Sequence, residues 1–267
     1  MKRIILSSLV LLFVTTLRAE RIQLVLNSPK IPVPDTIWVF TPSGYDKQQT
    51  EAFPLVYLLH GWSGNYHQWN DITDCQKTAD TYGFILVCPD GLYDSWYINS
   101  PVKKNQQYTD FFFLDLVPEI EKRFRINRER VFITGLSMGG HGALFLFSVH
   151  PEKFRSAGSL SGVVDLRDCS SEYGLPDLIG TDNTARGKEL FLDYSAAGRL
   201  DAIAASGKEI IFSCGTDDRF YKINEAFKTA CDEKDIPATF IPGPGGHDYP
   251  YWKNNLPAQL GFFAGLK

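Results

Sequence analysis

The chain has 267 residues, of which 44% are hydrophobic and 22% are charged. This is the composition of an ordinary globular protein, and the length allows one large domain or two small ones. The formal net charge of −4 gives the chain no reason to bind nucleic acid or an anionic lipid surface, so neither is expected as a partner.

The first 19 residues have the pattern of a secretory signal peptide. Lys2 and Arg3 give a basic start, residues 4–17 form a run without charge, and Ala19 is a small residue suited to cleavage. The run is shorter than the ~20 apolar residues that span a bilayer, which favours cleavage over the alternative of an uncleaved membrane anchor. We therefore expect a mature chain that begins at residue 20, is periplasmic or secreted, and is not bound to a membrane.

The next segments predict strands and helices in alternation. "RIQLVL" (21–26) and "DTIWVF" (35–40) follow each other without a helix between them and predict an antiparallel hairpin at a sheet edge. Six further short β-branched or aromatic runs predict strands at 55–61, 84–91, 130–137, 156–162, 208–215 and 238–243. Helical patterns cover 69–82, 110–124, 140–150, 221–234 and 251–266. This alternation predicts an α/β fold with a mainly parallel sheet and helices on both faces.

Residues 164–206 interrupt the alternation. They are rich in Asp, Gly and Ser and have only weak periodicity, which predicts a loop-rich insertion over the top of the sheet. Such segments often carry substrate-facing loops. Because no internal repeat and no linker separates a second unit, residues 20–267 are predicted to form a single domain.

The stretch "GLSMG" (135–139) matches G-x-S-x-G where a predicted strand meets a predicted helix. In this context the turn forces the serine into a strained backbone geometry that its glycine neighbours permit, and it lifts the hydroxyl clear of the sheet. Ser137 is therefore the candidate nucleophile. The alternative is a glycine-rich turn that carries an ordinary surface serine.

A serine nucleophile needs a base, and the base needs an orienting carboxylate. In this architecture the order along the chain is Ser, then Asp or Glu, then His. His247, on a glycine-rich loop after the last predicted strand, is the candidate base. Asp217 and Asp218 follow the penultimate strand, and the spacing from Gly215 favours Asp218 as the acid.

The other histidines suit structural roles. His141 lies four residues after the serine, inside the predicted helix, and His150 lies at the end of that helix. His60 and His67 precede the serine, and His60 is expected to brace the loop that follows its strand.

An acyl-transfer site also needs hydrogen-bond donors for the oxyanion. One donor is the backbone N–H of the residue after the nucleophile, Met138. The other should come from the loop after the strand that ends in "LLHG", which makes the N–H of Trp62 the candidate.

The cysteine spacing does not match a zinc site, so no metal is expected. An odd number of cysteines cannot all pair within one chain. Cys88 and Cys214 each end an apolar run, which favours free thiols that act as small core residues. The sequence allows one disulfide without naming it. The five cysteines are Cys75, Cys88, Cys169, Cys214 and Cys231.

Taken in order, six segments of the chain resemble the esterase D-like family, from about residue 35 to the end. This family includes S-formylglutathione hydrolases, tributyrin-type esterases, mycolyltransferases, and the feruloyl and acetylxylan esterases of the first carbohydrate esterase family. The resemblance implies an α/β-hydrolase fold and ester hydrolysis without a metal or organic cofactor. It carries the family's nucleophile, acid and base to Ser137, Asp218 and His247. The segments are "YLLHGWSGN", "CPDG…SWYINSP", "DFFFLDLVPEIEKRFRI", "VFITGLSMGGHGALFLFSVHPEKFRSAGSLSG", "CGTDD" and "GGHDYPYW".

The sequence thus predicts an exported serine carboxylesterase that hydrolyses short acyl, acetyl or feruloyl esters, on small molecules or on plant polysaccharides. Export favours esters met outside the cell over the cytosolic thioester of formylglutathione. Trp96, Tyr97, Tyr249 and Trp252 are candidates for stacking on a sugar or phenolic acid at the rim of the site. The alternative for these aromatics is that they pack the loops that carry them.

Two other functions remain open at this stage. An acyltransferase would use the same three residues, and a non-catalytic, carbohydrate-binding relative would keep the fold alone. The second is disfavoured because all three positions are filled. A nucleotide-binding protein is excluded because "GLSMGG" does not match G-x-G-x-x-G. No oligomeric state is predicted.

Overall fold

The computed structural model describes residues 21–45, 50–181 and 185–266. Within these residues, eight strands form one sheet in the order β1-β2-β4-β3-β5-β6-β7-β8. The first two pairings, β1 with β2 and β2 with β4, are antiparallel, and the rest are parallel. The strands are β1 (Arg21–Leu26), β2 (Asp35–Phe40), β3 (Phe53–Leu59), β4 (Ile85–Pro89), β5 (Ile126–Gly135), β6 (Ser156–Leu160), β7 (Ile210–Gly215) and β8 (Ala238–Gly243). The predicted parallel sheet with an antiparallel edge hairpin is confirmed.

The helices connect the strands and cover the sheet. Short 3-10 turns at Pro151–Lys153, Leu166–Cys169 and Ala196–Arg199 and a π-helical turn at Phe112–Leu116 complete the helical structure of the described residues. The α-helices are α1 (Gln68–Ile72), α2 (Cys75–Tyr82), α3 (Tyr108–Phe111), α4 (Val117–Arg123), α5 (Met138–Val149), α6 (Leu175–Ile179), α7 (Ala185–Asp193), α8 (Leu200–Ser206), α9 (Tyr221–Glu233) and α10 (Tyr249–Gly265).

The core lies on both faces of the sheet. Along β3, Leu55, Tyr57 and Leu59 belong to one buried cluster, whereas Val56 and Leu58 belong to the other, because successive strand residues point to opposite faces. Helices α5 and α9 cover the first face, and α2 and α10 cover the second. Strands β4, β6 and β7 are buried along their whole length, as expected for parallel strands with helices on both sides.

The helix predicted over 69–82 is wrong in one respect, since it is two helices. Helix α1 ends at Ile72, and α2 begins at Cys75 after Asp74, whose carboxylate accepts a hydrogen bond from the N–H of Lys77 at 2.9 Å. An aspartate in this position satisfies a free amide at a helix start, so it begins a new helix inside an otherwise continuous pattern.

The prediction of a loop-rich insertion at 164–206 is also corrected, because the described part of this segment is mostly helical. It contains α6, α7, α8 and two of the 3-10 turns. These helices are 5, 9 and 7 residues long, too short to produce a sustained helical period. The segment contacts helix α5, where the Nε2 atom of His141 lies 2.8 Å from the carbonyl oxygen of Tyr194.

The cysteines are part of the core. All five are free thiols and all are buried. Burial raises the pKa of Cys169 and of Cys231 to about 12, so these thiols stay protonated. This agrees with the interpretation of Cys88 and Cys214 as small core residues.

The predicted signal peptide, residues 1–19, lies outside the described residues. Among the helices that the structure describes, none is both long enough and apolar enough to cross a membrane.

Candidate active site

Ser137 occupies a sharp turn between β5 and α5. Its backbone has φ of 53° and ψ of −116°, a left-handed region that is costly for a residue with a Cβ atom. The turn is held because the N–H of Ser137 donates to the carbonyl oxygen of Leu160 at 2.9 Å and the N–H of Gly139 donates to that of Leu136 at 2.7 Å. This is the geometry that the G-x-S-x-G pattern predicts.

The two glycines of the motif are required by close backbone approach. A Cβ atom on Gly135 would lie 2.5 Å from the carbonyl carbon of Gly139 and 2.7 Å from the carbonyl oxygen of Leu59. A Cβ atom on Gly139 would lie 2.5 Å from the carbonyl oxygen of His60 and closer still to that of Leu59. Since these neighbours are backbone atoms at the end of β3, in the loop that follows it and in α5, they cannot move aside cheaply.

We therefore expect Gly139→Ala to lower the free energy of unfolding by about 3 kcal/mol, the upper range for overpacking a well-packed core. Gly261→Ala is the matched control, because Gly261 also lies in a helix but a Cβ atom there meets nothing within 4 Å. That substitution should raise stability by about 0.5–1 kcal/mol. Urea unfolding of both variants measures whether each substitution lowers or raises the free energy of unfolding. Equal effects would contradict the packing described for the turn.

His247 and Asp218 meet Ser137 in one hydrogen-bonded chain. The Nδ1 atom of His247 lies 2.8 Å from Oδ2 of Asp218, and its Nε2 atom lies 2.8 Å from Oγ of Ser137. Because a carboxylate can only accept, Nδ1 carries the proton and Nε2 is free to accept the proton of the serine hydroxyl. The three residues that chain order selected are therefore brought together.

Asp218, and not Asp217, is the carboxylate beside His247. The Asp218 side chain is fully buried, and its Oδ1 atom accepts the N–H of Phe220 at 2.9 Å. Burial raises the pKa of Asp218, but the hydrogen bond and charge of His247 and the N–H of Phe220 lower it, and the net pKa lies below the usual aspartate value. Asp217 is exposed, and its backbone N–H donates to the carbonyl oxygen of Gly245.

Two aromatic rings hold the imidazole of His247. The ring of Phe220 packs edge-on at 5.2 Å between centroids, and that of Trp252 at 5.0 Å. The side chain of His247 is nevertheless 28% exposed. The base is thus fixed in orientation and still open to solvent on one side.

The candidate oxyanion donors are the backbone N–H groups of Met138 and Trp62. Neither has a hydrogen-bond partner among the described residues, although the amides on either side are bound. The N–H of Gly61 donates to Oε1 of Gln68 at 2.8 Å, and the N–H of Ser63 donates to the carbonyl oxygen of Tyr93 at 2.8 Å. The loop that carries Trp62 is therefore braced on both sides of this amide.

Gln68 is a residue that the sequence did not single out. Besides binding Gly61, its Nε2 atom donates to the hydroxyl of Tyr249 at 3.2 Å. It thus joins the loop of Trp62 to the first residue of α10, which follows His247 closely in the chain. A glutamine inside a helix carries no sequence signal for this function.

His60 has the bracing function that the sequence predicted. Burial lowers its pKa to about 4, so the ring is neutral. Its Nε2 atom accepts the N–H of Gly91 at 2.6 Å, which leaves Nδ1 to donate to the carbonyl oxygen of Gly61 at 2.7 Å. The ring therefore fixes the start of the loop that carries Trp62.

The four candidate substrate-binding aromatics divide into two pairs. Tyr249 is 44% exposed, and its ring lies 5.8 Å from that of Trp252, which contacts His247. Both lie beside the base. Trp96 and Tyr97 instead are buried. The prediction that they stack on a substrate is therefore wrong, and the alternative, that they pack the loops that carry them, holds.

The packing of Trp96 and Tyr97 has a clear physical basis. The Nε1 atom of Trp96 donates to the carbonyl oxygen of Tyr173 at 3.1 Å, and the hydroxyl of Tyr97 donates to that of His60 at 3.0 Å. The Tyr97 ring fills the space left by Gly142, where a Cβ atom would strike it. Both residues have positive φ, 49° and 61°. This backbone conformation is not predicted by the residue types.

The helical insertion adds side chains to the rim of the site. The ring of Tyr173 lies 5.3 Å from that of Trp62. Arg219, next to Asp218, donates to both carboxylate oxygens of Glu172 and to the hydroxyl of Tyr173, each at 3.0 Å. The sequence missed these three contacts because residues of the insertion have no recognisable pattern.

This sheet order, with a serine at a strained turn after a central strand, defines the chain as an α/β-hydrolase. A family model described as "Putative esterase" matches residues 28–263, and the chain belongs to this esterase family. It is an enzyme that acts on carboxylic ester bonds, and the resemblance to the esterase D-like family is confirmed.

Individual relatives agree with this assignment. S-formylglutathione hydrolase of Mus musculus is 27% identical over 224 residues, which cover 74% of this chain and 77% of the relative. An acetyl esterase of Caldicellulosiruptor saccharolyticus is 26% identical over 228 residues, which cover 78% and 82%. The structure of a fluorophosphonate-binding serine hydrolase of Staphylococcus aureus superposes with a TM-score of 0.81, at 23% identity, over 92% of this chain and 99% of that one. This last likeness supports the fold.

Proposed function

We propose that Ser137, His247 and Asp218 hydrolyse short carboxylic esters through an acyl-enzyme. The observation that carries this proposal is the continuous hydrogen-bonded chain from Asp218 to His247 to Ser137, with both contacts at 2.8 Å. A base within this distance of a hydroxyl can take its proton as the hydroxyl attacks.

The reaction has two steps. In the first, Oγ of Ser137 attacks the ester carbonyl while Nε2 of His247 takes the hydroxyl proton, and Asp218 stabilises the imidazolium. The amides of Met138 and Trp62 donate to the oxyanion, an interaction worth on the order of 3 kcal/mol per donor. His247 then gives its proton to the departing alcohol. In the second step water, activated by the same imidazole, releases the acid and restores the serine.

The proposed substrates are acetyl or feruloyl esters carried by small molecules or plant polysaccharides outside the cell. The acetyl esterase relative is named for an acetyl ester, and the exposed ring of Tyr249 beside Trp252 offers an apolar surface next to the base. The basic start and uncharged run of residues 1–19 support export to the periplasm or medium. Recovery of a chain that begins at Glu20 from the envelope or medium tests that step.

A substrate panel tests the proposed function. We expect turnover of p-nitrophenyl acetate, methyl ferulate and acetylated xylan, with kcat/KM falling as the acyl chain of p-nitrophenyl esters is lengthened. Ser137→Ala, assayed in parallel, controls for spontaneous hydrolysis. An absence of turnover on every ester, or equal turnover by the wild type and Ser137→Ala, would refute the proposal.

A further inference from the structure

A cleft opens beside the loop that carries Trp62. Its volume is about 380 Å³. We call it the Tyr93 cleft. It is lined by Pro32, Val33, Gly64, Asn65, Asp90, Leu92, Tyr93, Asp94 and Gln106.

The Tyr93 cleft adjoins the proposed reaction centre. Gly64 and Asn65 follow Trp62 by two and three residues, so their Cα atoms lie no more than about 7 and 10 Å from that of Trp62. The ring of Tyr93 packs edge-on against that of Trp62 at 5.0 Å, and its carbonyl oxygen accepts the N–H of Ser63 at 2.8 Å. The cleft therefore begins within two residues of the candidate oxyanion donor Trp62.

The lining combines hydrogen-bonding groups with exposed apolar surface. Tyr93 is 58% exposed and Val33 is 55% exposed. Asp90 and Asp94 each use Oδ1 to accept a hydrogen bond, from the N–H of Leu92 and from Nε2 of Gln106, so their Oδ2 atoms are the acceptors offered to a ligand. The Oδ1 atom of Asn65 accepts the N–H of His67, so its amide NH2 is the donor offered. A saccharide ring matches this lining, because its hydroxyls project around the rim while its C–H groups form apolar faces.

The charge of the Tyr93 cleft favours a sugar over glutathione as the group that leaves when the acyl bond is cleaved. The residues that line the cleft include two acids, Asp90 and Asp94, and no Lys or Arg. Burial raises the pKa of Asp90 above the ordinary aspartate value. Glutathione carries two carboxylates against one ammonium group, a net charge of about −1 at neutral pH, so its excess carboxylate would meet like charge in the cleft. A neutral polyhydroxylated ring meets no such repulsion and can donate its hydroxyl protons to both carboxylates.

We propose that the Tyr93 cleft binds the neutral saccharide part of an acylated sugar whose ester bond is cleaved at Ser137. This inference rests on the proposed function, since it names the alcohol that leaves. The bond between the acyl carbon and the sugar oxygen breaks as the acyl group passes to Oγ of Ser137. The sugar oxygen takes the proton that His247 removed from the serine.

The test compares two substrates that share an acyl group. For each variant, kcat/KM is measured on an acetylated xylooligosaccharide and on p-nitrophenyl acetate, and the ratio of the two is the readout. We expect Tyr93→Ala and Asp94→Asn each to lower this ratio at least about tenfold, the discrimination that one lost contact supplies. Tyr93→Phe, which keeps the ring, should retain most of it. Glu129→Gln, an exposed acid at the start of β5, should leave the ratio at the wild-type value.

A second variant covers the case in which Tyr93→Ala or Asp94→Asn disturbs the loop of Trp62. Val33→Trp adds bulk from an exposed position in the lining of the cleft and should lower the same ratio by occluding it. Ratios at the wild-type value in both Tyr93→Ala and Val33→Trp would overturn the inference. The proposed function fails separately, if p-nitrophenyl acetate hydrolysis does not depend on Ser137. In that event, calorimetric binding of unacetylated xylooligosaccharide to wild type and Val33→Trp still decides whether the cleft binds sugar.

Discussion

Replacing Ser137 by alanine is expected to reduce kcat for p-nitrophenyl acetate by about 10⁵- to 10⁶-fold, the scale found when a serine nucleophile is removed from such a site. The reason is that, among the described residues, the hydroxyl of Ser137 is the one that meets Nε2 of His247, the atom that takes the proton. The residual rate would come from the oxyanion donors and from substrate binding alone. Steady-state kinetics, with an active-site titration of the wild type, give the ratio.

Ser148→Ala is the matched control for that experiment. Ser148 is a buried serine near the end of α5, the helix that follows the turn, and its hydroxyl donates to the carbonyl oxygen of Phe145 at 2.6 Å. It should keep kcat within about twofold, because substitutions that avoid the reacting groups leave transition-state binding unchanged. A Ser137→Ala enzyme with kcat near that of Ser148→Ala would remove the serine from the mechanism.

The second large effect is expected at Asp218. Asp218→Asn should lower kcat by about 10⁴-fold, as the corresponding change does in serine proteases. An amide can donate to Nδ1 of His247, which moves the proton to Nε2 and leaves no acceptor for the hydroxyl of Ser137. Asp217→Asn is the matched control. It differs by one position but alters an exposed side chain, so kcat should stay within about twofold.

The pH profile separates the two acidic residues further. Because the pKa of Asp218 lies below the usual aspartate value, this carboxylate stays charged at neutral and mildly acidic pH. Protonation of Asp218 should therefore not contribute to any fall of kcat/KM above about pH 5. A large loss of rate in Asp217→Asn, with a normal rate in Asp218→Asn, would reverse the assignment.

The strands of the sheet could be predicted from the sequence, because apolar periodicity and turn residues mark them. The hairpin segments at 21–26 and 35–40 and the last strand at 238–243 coincide with β1, β2 and β8. The start of β5 was predicted four residues too late. Its first residues, Ile126 to Glu129, include exposed polar side chains, and their strand conformation depends on pairing of Ile126 with Phe53, which a local pattern does not contain.

The insertion was the least predictable part of the chain. Its helices are short, and its anchors are tertiary contacts such as that between His141 and Tyr194. A helix of 5 residues makes little more than one turn, so packing and not propensity decides whether it forms. Single-sequence periodicity therefore predicts loops where the structure has helices.

The candidate site was predictable where chemistry restricts both residue type and chain order. Ser137, Asp218 and His247 satisfy an order along the chain that few other residues could. The structure joins their side chains through two contacts of 2.8 Å, one between Asp218 and His247 and one between His247 and Ser137. Gln68 and Tyr93 had no such restriction. Their importance depends on which backbone amide or ring they contact, and that is known only once the loop of Trp62 is folded.

The exposed and buried aromatics illustrate the same limit. Trp96 and Tyr249 are both aromatic residues, and both flank predicted loops. The backbone of Trp96 has φ of 49° and turns its ring into the core, whereas Tyr249 begins α10 and faces solvent. Since both are aromatic, the difference arises from where the folded chain places each residue.

The most direct test of the central claim is peptide-mapped labelling by a fluorophosphonate probe, which reacts with an activated serine. We expect one adduct, on the peptide that contains Ser137, and labelling that is at least about 10³-fold slower in His247→Ala because the base is absent. Labelling at another residue, or an unchanged rate at Ser137 without His247, would contradict the account.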